Sequence, residues 1–251
     1  MLRYKILNGR IRHKLFTILA ILCVLTACNS ATPKQERESE ADNTLQANGR
    51  KANVVRRQLS TLKEFTHLTN LGSVNIIYTQ GDYSMEVEGD STMLQYLVTS
   101  FDSNLLTVSM RSDGNKNINL YGNTSNVTMY LSCPNMKCVS ICGNGGFESI
   151  GKWSGDDIEV GILSTGTMRL DTIECNTFSM QSTSVSLVSI ANLKAQEATI
   201  MTRTNATVDM NVDVEDLTIL NDGKPKMTLA GKATNLLIKN PKDEEFVNLI
   251  K

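Results

Sequence analysis

A repeat with a period of about twenty residues runs through the second half of the chain and limits the folds open to it. Pairs of apolar residues separated by one residue recur at steps of 20, 20, 19 and 19 residues. The pairs are Ile158 and Val160, Phe178 and Met180, Ala198 and Ile200, Leu217 and Ile219, and Leu236 and Ile238. Alternation with a period of two is the pattern of a β-strand with one buried face. A repeat of this length indicates stacked structural units.

Three further sets of residues keep the same step. A second group of strand pairs begins at Met168, Val188, Val208 and Met227, and a third apolar column is formed by Trp153, Ile173, Leu193 and Val212. A column of small or turn-forming residues consists of Gly146, Gly166, Ser186, Ala206 and Pro225. Stacked coils bring equivalent residues within about 4.8 Å of each other and bury a continuous core. The repeat therefore predicts a parallel β-solenoid, also called a β-helix, of about five coils.

The residues before the repeat predict a mixed, partly antiparallel β region. Alternating residues 74–78 and 85–87 flank a Gly81-Asp82 turn, which indicates a hairpin. Asp90 is placed to cap a short helix over residues 93–99. Strands are expected at residues 105–110 and 126–131, with a loop at 112–115 between them. The predicted fold class is therefore all-β, with one short helix and a solenoid.

The N-terminus is typical of an export signal. Five cations flank an apolar run over residues 15–25, and no acidic residue occurs before Glu36. The run is shorter than the roughly 20 residues of a membrane-spanning helix. It ends in Leu25, Thr26, Ala27 and Cys28, which resembles the lipobox of bacterial lipoproteins. The resemblance implies cleavage before Cys28 and lipidation of its thiol, whereas an ordinary signal peptide with a chance cysteine is the weaker reading.

These features predict how the chain is divided. Residues 1–27 are the lipoprotein signal peptide, and residues 28–58 are a flexible tether that is too polar to offset its ordering entropy. Asn29 resembles the sorting signal of outer-membrane lipoproteins, so we expect the mature protein on that membrane, facing the periplasm or the surface. Residues 59–251 form one domain, with a cap region at 59–135, repeats at 136–240 and a tail at 241–251.

The order of several pieces resembles the auto-transporter adhesin family with a head GIN domain, exported proteins of Gram-negative bacteria. The pieces are VNIIYTQGD at 74–82, MEVEG at 85–89, LLTV at 105–108, CGNGGF at 142–147 and STGT at 164–167. The resemblance covers residues 65–240, although the later turns at 182–184 and 203–205 lack the glycine. It implies a binding or scaffold role in adhesion without supplying a ligand.

Charge and cysteine content exclude several classes of partner. Without residues 1–27 the chain keeps 20 Lys and Arg against 26 Asp and Glu, which argues against nucleic acid. Cys133, Cys138, Cys142 and Cys175 have neither metal-site spacing nor a nearby histidine, so we expect buried free thiols or one local disulfide. No cofactor is expected, and the residues leave a calcium site at Asp156 and Asp157 open.

A catalytic set is not evident in the sequence. His67 is the one histidine of the mature chain, and the glycine-containing runs at 143–146 and 221–224 are turns without a following helix. The carboxylates of Asp156, Asp157, Glu159, Glu174, Asp209 and Asp213 are expected to face solvent in different columns. With one Trp in the chain, a glycan-cleaving cleft with aromatic platforms is disfavoured.

Three functions stay open. The leading hypothesis is a non-enzymatic, lipid-anchored adhesin or scaffold that presents its solenoid surface to a glycan, a matrix protein or an envelope protein. The alternatives are a polysaccharide-acting enzyme on the same scaffold and a structural or envelope-stress protein without an external ligand. The exposed ends of a solenoid also permit a homo-oligomer without requiring one.

Overall fold

Strands make up most of the part of the chain that the structure describes. The computed structural model describes residues 43–47, 50–59, 63–111, 127–183, 185–203, 205–239 and 246–250. The strands are β1 (Asn43–Ala47), β2 (Arg50–Gln58), β3 (His67–Asn70), β4 (Asn75–Gln80), β5 (Ser84–Asp90), β6 (Leu97–Asp102), β7 (Leu105–Met110), β8 (Thr128–Cys133), β9 (Cys138–Ile141), β10 (Gly146–Ile162), β11 (Thr167–Ser182), β12 (Leu187–Arg203), β13 (Thr207–Asp222), β14 (Lys226–Lys239) and β15 (Phe246–Ile250). One short helix, α1 (Ser91–Leu94), interrupts them.

The five long strands β10 to β14 stack in parallel, each forming one coil. Their register brings Trp153 opposite Ile173, Ile173 opposite Leu193, and Leu193 opposite Val212. The paired apolar residues at the repeat positions align in the same way, and the members from β10 to β13 are buried. The predicted fold class, an all-β solenoid of about five coils with a mixed sheet and one short helix, is confirmed.

The predicted column of small residues is correct except at its first position. Gly146 lies opposite Thr167, and the residue that aligns with Gly166 is Gly145. A Cβ atom on Gly166 would lie 2.7 Å from the Gly145 carbonyl oxygen, and one on Gly145 would lie 2.3 Å from the Val74 carbonyl oxygen. The tight contact between turns therefore requires glycine at 145 and 166, whereas Gly146 already belongs to the following strand.

Further parallel strands stack against β10 on the side opposite β11. Their order in the stack differs from their order in the sequence. On one face β9 pairs with β10 and with β3, and β3 pairs with β7. On the next face β4 pairs with β10 on one side and with β8 on the other. The predicted hairpin between residues 74–78 and 85–87 is wrong, because β8 lies between β4 and β5. The cap region thus adds two coils to the solenoid.

Antiparallel strands cover this end of the stack. β6 pairs with β7, while β5 pairs with β8, β2 with β5, and β1 with β2. β1 and β2 lie within residues 28–58, so these two segments of the predicted flexible tether are strands instead. The reason is that β5 offers an open edge, which β2 covers. Arg56 fixes this pairing by stacking 4.8 Å over the Tyr130 ring and by an ion pair with Glu86.

The helix is shorter than predicted. Asp90 caps it as expected, since its Oδ1 accepts a hydrogen bond of 2.8 Å from the Thr92 amide. The helix ends at Leu94 and the chain enters β6 at Leu97, because residues 98 and 99 are β-branched and pair with β7. β7 has the predicted bounds, and β8 begins two residues later than expected.

Several predictions fall on residues outside the described ranges. They are the signal peptide, the lipobox with Cys28, the tether before residue 43, the loop at 112–115 and part of the tail. Within the described residues, no helix is long and apolar enough to cross a membrane.

Candidate binding groove

A groove runs along one corner of the solenoid, across the coils from β10 to β14. Its floor is a column of small or apolar residues at equivalent register positions, Gly155, Cys175, Ala195 and Val214, and Ala233 continues this column in β14. Ala195 and Val214 are only 8% and 5% exposed. Because these side chains are short or buried, the residues on either side of the column stand above it and form two walls.

The two walls are polar. The residues one position before the floor are Ser154, Glu174, Lys194 and Asp213, and those one position after it are Asp156, Asn176, Gln196, Glu215 and Thr234. The groove has a volume of about 990 Å³. Four steps of about 4.8 Å between coils make it about 19 Å long, enough for an extended chain of several residues or sugar units.

The loop between β8 and β9 closes one end of the groove. Trp153 holds this loop, since its indole Nε1 donates a hydrogen bond of 3.0 Å to the Met136 carbonyl oxygen. Gln80 donates from Nε2 to the carbonyl oxygens of Pro134 at 2.7 Å and Ser154 at 2.9 Å, and its Oε1 accepts from the Ser154 amide at 2.8 Å. The end wall is therefore fixed by buried or half-buried hydrogen bonds and offers Lys137 and Asn135 to a ligand.

Charges in the groove are mixed, with an acidic excess. The lining residues carry five carboxylates, on Asp156, Asp157, Glu174, Asp213 and Glu215, and two ammonium groups, on Lys137 and Lys194. Lys152 forms an ion pair with Glu174, and the hydrogen bond between them lowers the pKa of that carboxyl. Asn176 donates to Asp156 Oδ1 at 3.4 Å. Such a surface offers many hydrogen-bond acceptors and amides, and it disfavours anionic ligands.

The structure brings together only some of the carboxylates named in the sequence analysis. Asp156, Asp157, Glu174 and Asp213 line the groove, whereas Asp209 lies on a different face, in register with Ser189 and Thr228. Glu174 and Asp213 share a column but are separated by Lys194. Among the described residues, no group of three or more His, Cys, Asp or Glu is arranged to hold a metal ion, so the calcium site that the sequence left open gains no support.

His67 lies at the start of β3 and is not among the residues that line the groove, although Lys137 of the end wall is nearby. Its Nδ1 is within 2.8 Å of Thr66 Oγ1 and 3.1 Å of Asn104 Nδ2. Partial burial, together with the nearby Lys137, lowers the pKa of the imidazole. These partners are a hydroxyl and an amide that join two turns, which is the arrangement of a structural histidine.

All four cysteines of the domain are free thiols. Cys133 and Cys138 are buried, and Cys142 and Cys175 are half-buried. Burial raises the pKa of Cys133 to about 11 and the pKa of Cys138 to about 12. Of the two readings that the sequence left open, the structure has free thiols rather than a local disulfide.

The groove is not evident from the motifs of the sequence. Its floor could have been found from one signal, a fourth column with the same step of about twenty residues that contains Cys175, Ala195, Val214 and Ala233. The walls carry no such signal, because polar residues of any type satisfy a solvent-facing position.

Comparison with known proteins agrees with the fold. A crystal structure of a putative adhesin from Bacteroides fragilis NCTC 9343 is similar with a TM-score of 0.59 at 17% identity, covering 79% of this chain and 96% of that one. A putative adhesin from Parabacteroides distasonis ATCC 8503 gives a TM-score of 0.53 at 12% identity, covering 79% and 94%. No curated protein matches the chain significantly.

A family model also matches the sequence directly. The match covers residues 64–191, about half of the chain, and the model is described as "Putative auto-transporter adhesin, head GIN domain". It spans the cap region and the first coils, the part in which the motifs of the sequence analysis occur. The chain therefore belongs to the head GIN domain family of auto-transporter adhesins.

Proposed function

We propose that this protein is an exported, lipid-anchored adhesin without enzymatic activity, and that its groove binds an extended hydroxyl-rich ligand, a glycan chain. The observation that carries the proposal is a continuous polar groove of about 990 Å³ on a rigid stack of coils. Carboxylates and amides that repeat from coil to coil can bind successive sugar units through the same kind of hydrogen bond. Family membership supports an adhesive role at the cell surface.

The groove is suited to binding rather than to catalysis. Its lining residues contain no histidine, and its carboxylates are exposed to solvent. General acid catalysis of glycoside cleavage needs a carboxyl group with a raised pKa in a protected site. The shifted carboxyl of the lining, Glu174, has a lowered pKa instead. We therefore expect a glycan to be retained by the protein without being cleaved.

The binding test compares two substitutions of equal charge on different faces. Residues 29–251 with Glu215→Lys, in the groove wall, and with Asp209→Lys, on another face, are applied beside the unchanged chain to an array of glycans and matrix proteins. Retention of one glycan class that Glu215→Lys reduces at least about tenfold, equal to about 1.4 kcal/mol, would support the groove. Equal loss in both variants, retention of matrix proteins alone, or release of shortened glycan would contradict the proposal.

The anchor is tested separately. Full-length chain and Cys28→Ala are expressed in a Gram-negative host, and membrane and soluble fractions are compared after mass spectrometry of the N-terminal peptide. We expect acyl chains on Cys28, and loss of the outer-membrane pool in Cys28→Ala, since several acyl chains each contribute roughly 0.8 kcal/mol per buried CH2. An unmodified Cys28, or unchanged fractionation of the variant, would contradict a lipid anchor at Cys28.

A further inference from the structure

The last long strand has an edge that no described residue covers. β14 pairs with β13 along one side, while on the other side β15 pairs only with residues 227–231. The outer edge of residues 232–239 therefore has no strand partner within the described part of the chain. Unpaired amide and carbonyl groups on such an edge are a template for another strand.

Apolar side chains are exposed along this edge. Leu236 and Ile238 extend two columns that are buried in every preceding coil, those of Leu217 and Ile219, yet Leu236 is 39% exposed. Leu237 points outward and is 48% exposed. Its column otherwise holds the polar residues Glu159, Ser179, Thr199 and Thr218. A leucine at this position is unexplained by the coil itself.

At the opposite end of the solenoid, antiparallel strands cover the strand edges. There β6 pairs with β7, β5 pairs with β8, and β2 pairs with the outer edge of β5, all antiparallel. Proteins that leave a strand edge in water protect it with charged residues, proline or a bulge. Residues 236–238 are Leu-Leu-Ile instead. Residues 236–238 of the β14 edge therefore have the composition of a covered strand, although lysines stand at both ends of the edge, at positions 232 and 239.

We propose that the β14 edge pairs with the same edge of a second copy, forming an antiparallel two-fold dimer centred on Leu237. In this register Leu237 lies opposite its own equivalent, and Leu236 lies opposite Ile238 of the other copy. Both residues of the latter pair point inward, so the two hydrophobic cores become continuous. An isologous contact of this kind closes after two copies and does not propagate into a fibre.

Charge complementarity selects this register. Lys239 of one copy lies opposite Asn235 of the other, whose Nδ2 donates a hydrogen bond of 2.7 Å to Asp216 Oδ1. Asp216 is followed in the same column by Glu197 in the next coil. The lysine side chain is long enough to reach this acidic column across the interface. Centring the pair on Leu236 would place Lys239 opposite Ala233 and lose this contact.

The first test is a cross-link in the full chain purified in detergent. Leu237→Cys places two thiols opposite each other across the two-fold axis, where opposed residues have Cα atoms about 4.5–5.5 Å apart, within disulfide range. Under mild oxidation we expect a covalent dimer at twice the mass of the processed, lipidated chain on a non-reducing gel. Thr218→Cys, in the same column one coil inward, is the matched control and stays monomeric on the gel, as does the unchanged chain.

The second test measures association without a cross-link. Leu237→Lys places like charges opposite each other, so sedimentation equilibrium should give half the protein mass of the unchanged chain, while Thr218→Lys leaves the dimer intact. Circular dichroism of both variants verifies the fold. A monomeric unchanged chain throughout the micromolar range would overturn the dimer. A dimer that Leu237→Cys fails to cross-link, or that Leu237→Lys leaves intact, would overturn the proposed register.

Discussion

Burial decides the chemistry of the cysteines. Burial raises the pKa of the Cys133 thiol to about 11 and that of Cys138 to about 12, from an ordinary value of 9.0. At pH 8 the reactive thiolate of Cys133 is then about a hundred times less abundant than in the unfolded chain. These cysteines are therefore packing residues, and they are expected to resist oxidation and remain thiols.

This expectation can be measured by alkylation. With iodoacetamide at pH 8, Cys133 and Cys138 should be labelled at least about a hundredfold more slowly in the folded protein than in urea, because both thiolate content and access are reduced. Site-specific mass spectrometry gives the rate at each cysteine. Labelling of Cys138 at equal rates with and without urea would show that β9 detaches readily from the strands beside it.

At the scale of single residues, the sequence predicts what faces inward and little of what faces outward. Inward positions must be apolar in every coil, so Trp153, Ile173 and Leu193 could be aligned from their spacing alone. Outward positions only need to be polar, so the walls of the groove could not be recognised. The misplacement of Gly146 has a similar cause, since two adjacent glycines leave the turn position ambiguous until the backbone contacts of Gly145 are known.

Gly231, within β14, has a backbone conformation and a close contact that are unfavourable for any residue with a Cβ atom. Its φ is +111°, and an added Cβ would lie 2.0 Å from the Val212 carbonyl oxygen. Gly151 also has a positive φ of +75°, but an added Cβ there meets no atom within 4 Å. A substitution at Gly151 therefore tests backbone strain alone, whereas a substitution at Gly231 tests backbone strain together with a steric clash.

Gly151→Ala should therefore lower the free energy of unfolding by about 1 kcal/mol, the cost of a left-handed backbone for a residue with a Cβ. Gly231→Ala should cost more than about 2 kcal/mol, since a coil must also move away from its neighbour. Urea denaturation followed by circular dichroism gives both values. If both substitutions lowered the free energy of unfolding equally, the backbone at Val212 would have moved away from the added Cβ at position 231 at no energetic cost.

At the scale of elements, the sequence predicts where the strands lie. It predicts which strands pair only where neighbouring coils are also consecutive in the sequence. β10 to β14 pair in chain order, so a constant step located every partner. β4 and β5 are neighbours in the chain with a turn between them, which favours a hairpin locally, yet β8 separates them. The turn residues Gly81 and Asp82 do not indicate that β8, some fifty residues later in the sequence, pairs with both β4 and β5 and lies between them.

At the scale of the molecule, equivalent coils should be removable as units. Deleting residues 187–206 joins Ser186 to Thr207 and brings β11 against β13, with Met168 opposite Val208 and Phe178 opposite Leu217. All these columns are buried and apolar, so the shortened protein should fold, with a urea m-value lower by roughly 10% in proportion to the surface lost.

A half-coil deletion is the matched control. Removing residues 187–196 places one face of the solenoid over another and interrupts every column, so this variant should lose the cooperative transition. Circular dichroism and urea titration of both deletions make the comparison. If both fold, or neither does, the coils are not interchangeable units.

The non-sequential order of the cap coils has a consequence for how the chain acquires its structure. β3 and β4 are made early, yet each is sandwiched between partners made later, β7 and β9 for one and β8 and β10 for the other. When the β3 and β4 coils have been synthesised, the strands that they pair with therefore do not yet exist. Folding must begin in the later coils, whose contacts are nearly all between successive turns, and reach the cap last, since distant contacts form more slowly. The stretch made first is the last to become native.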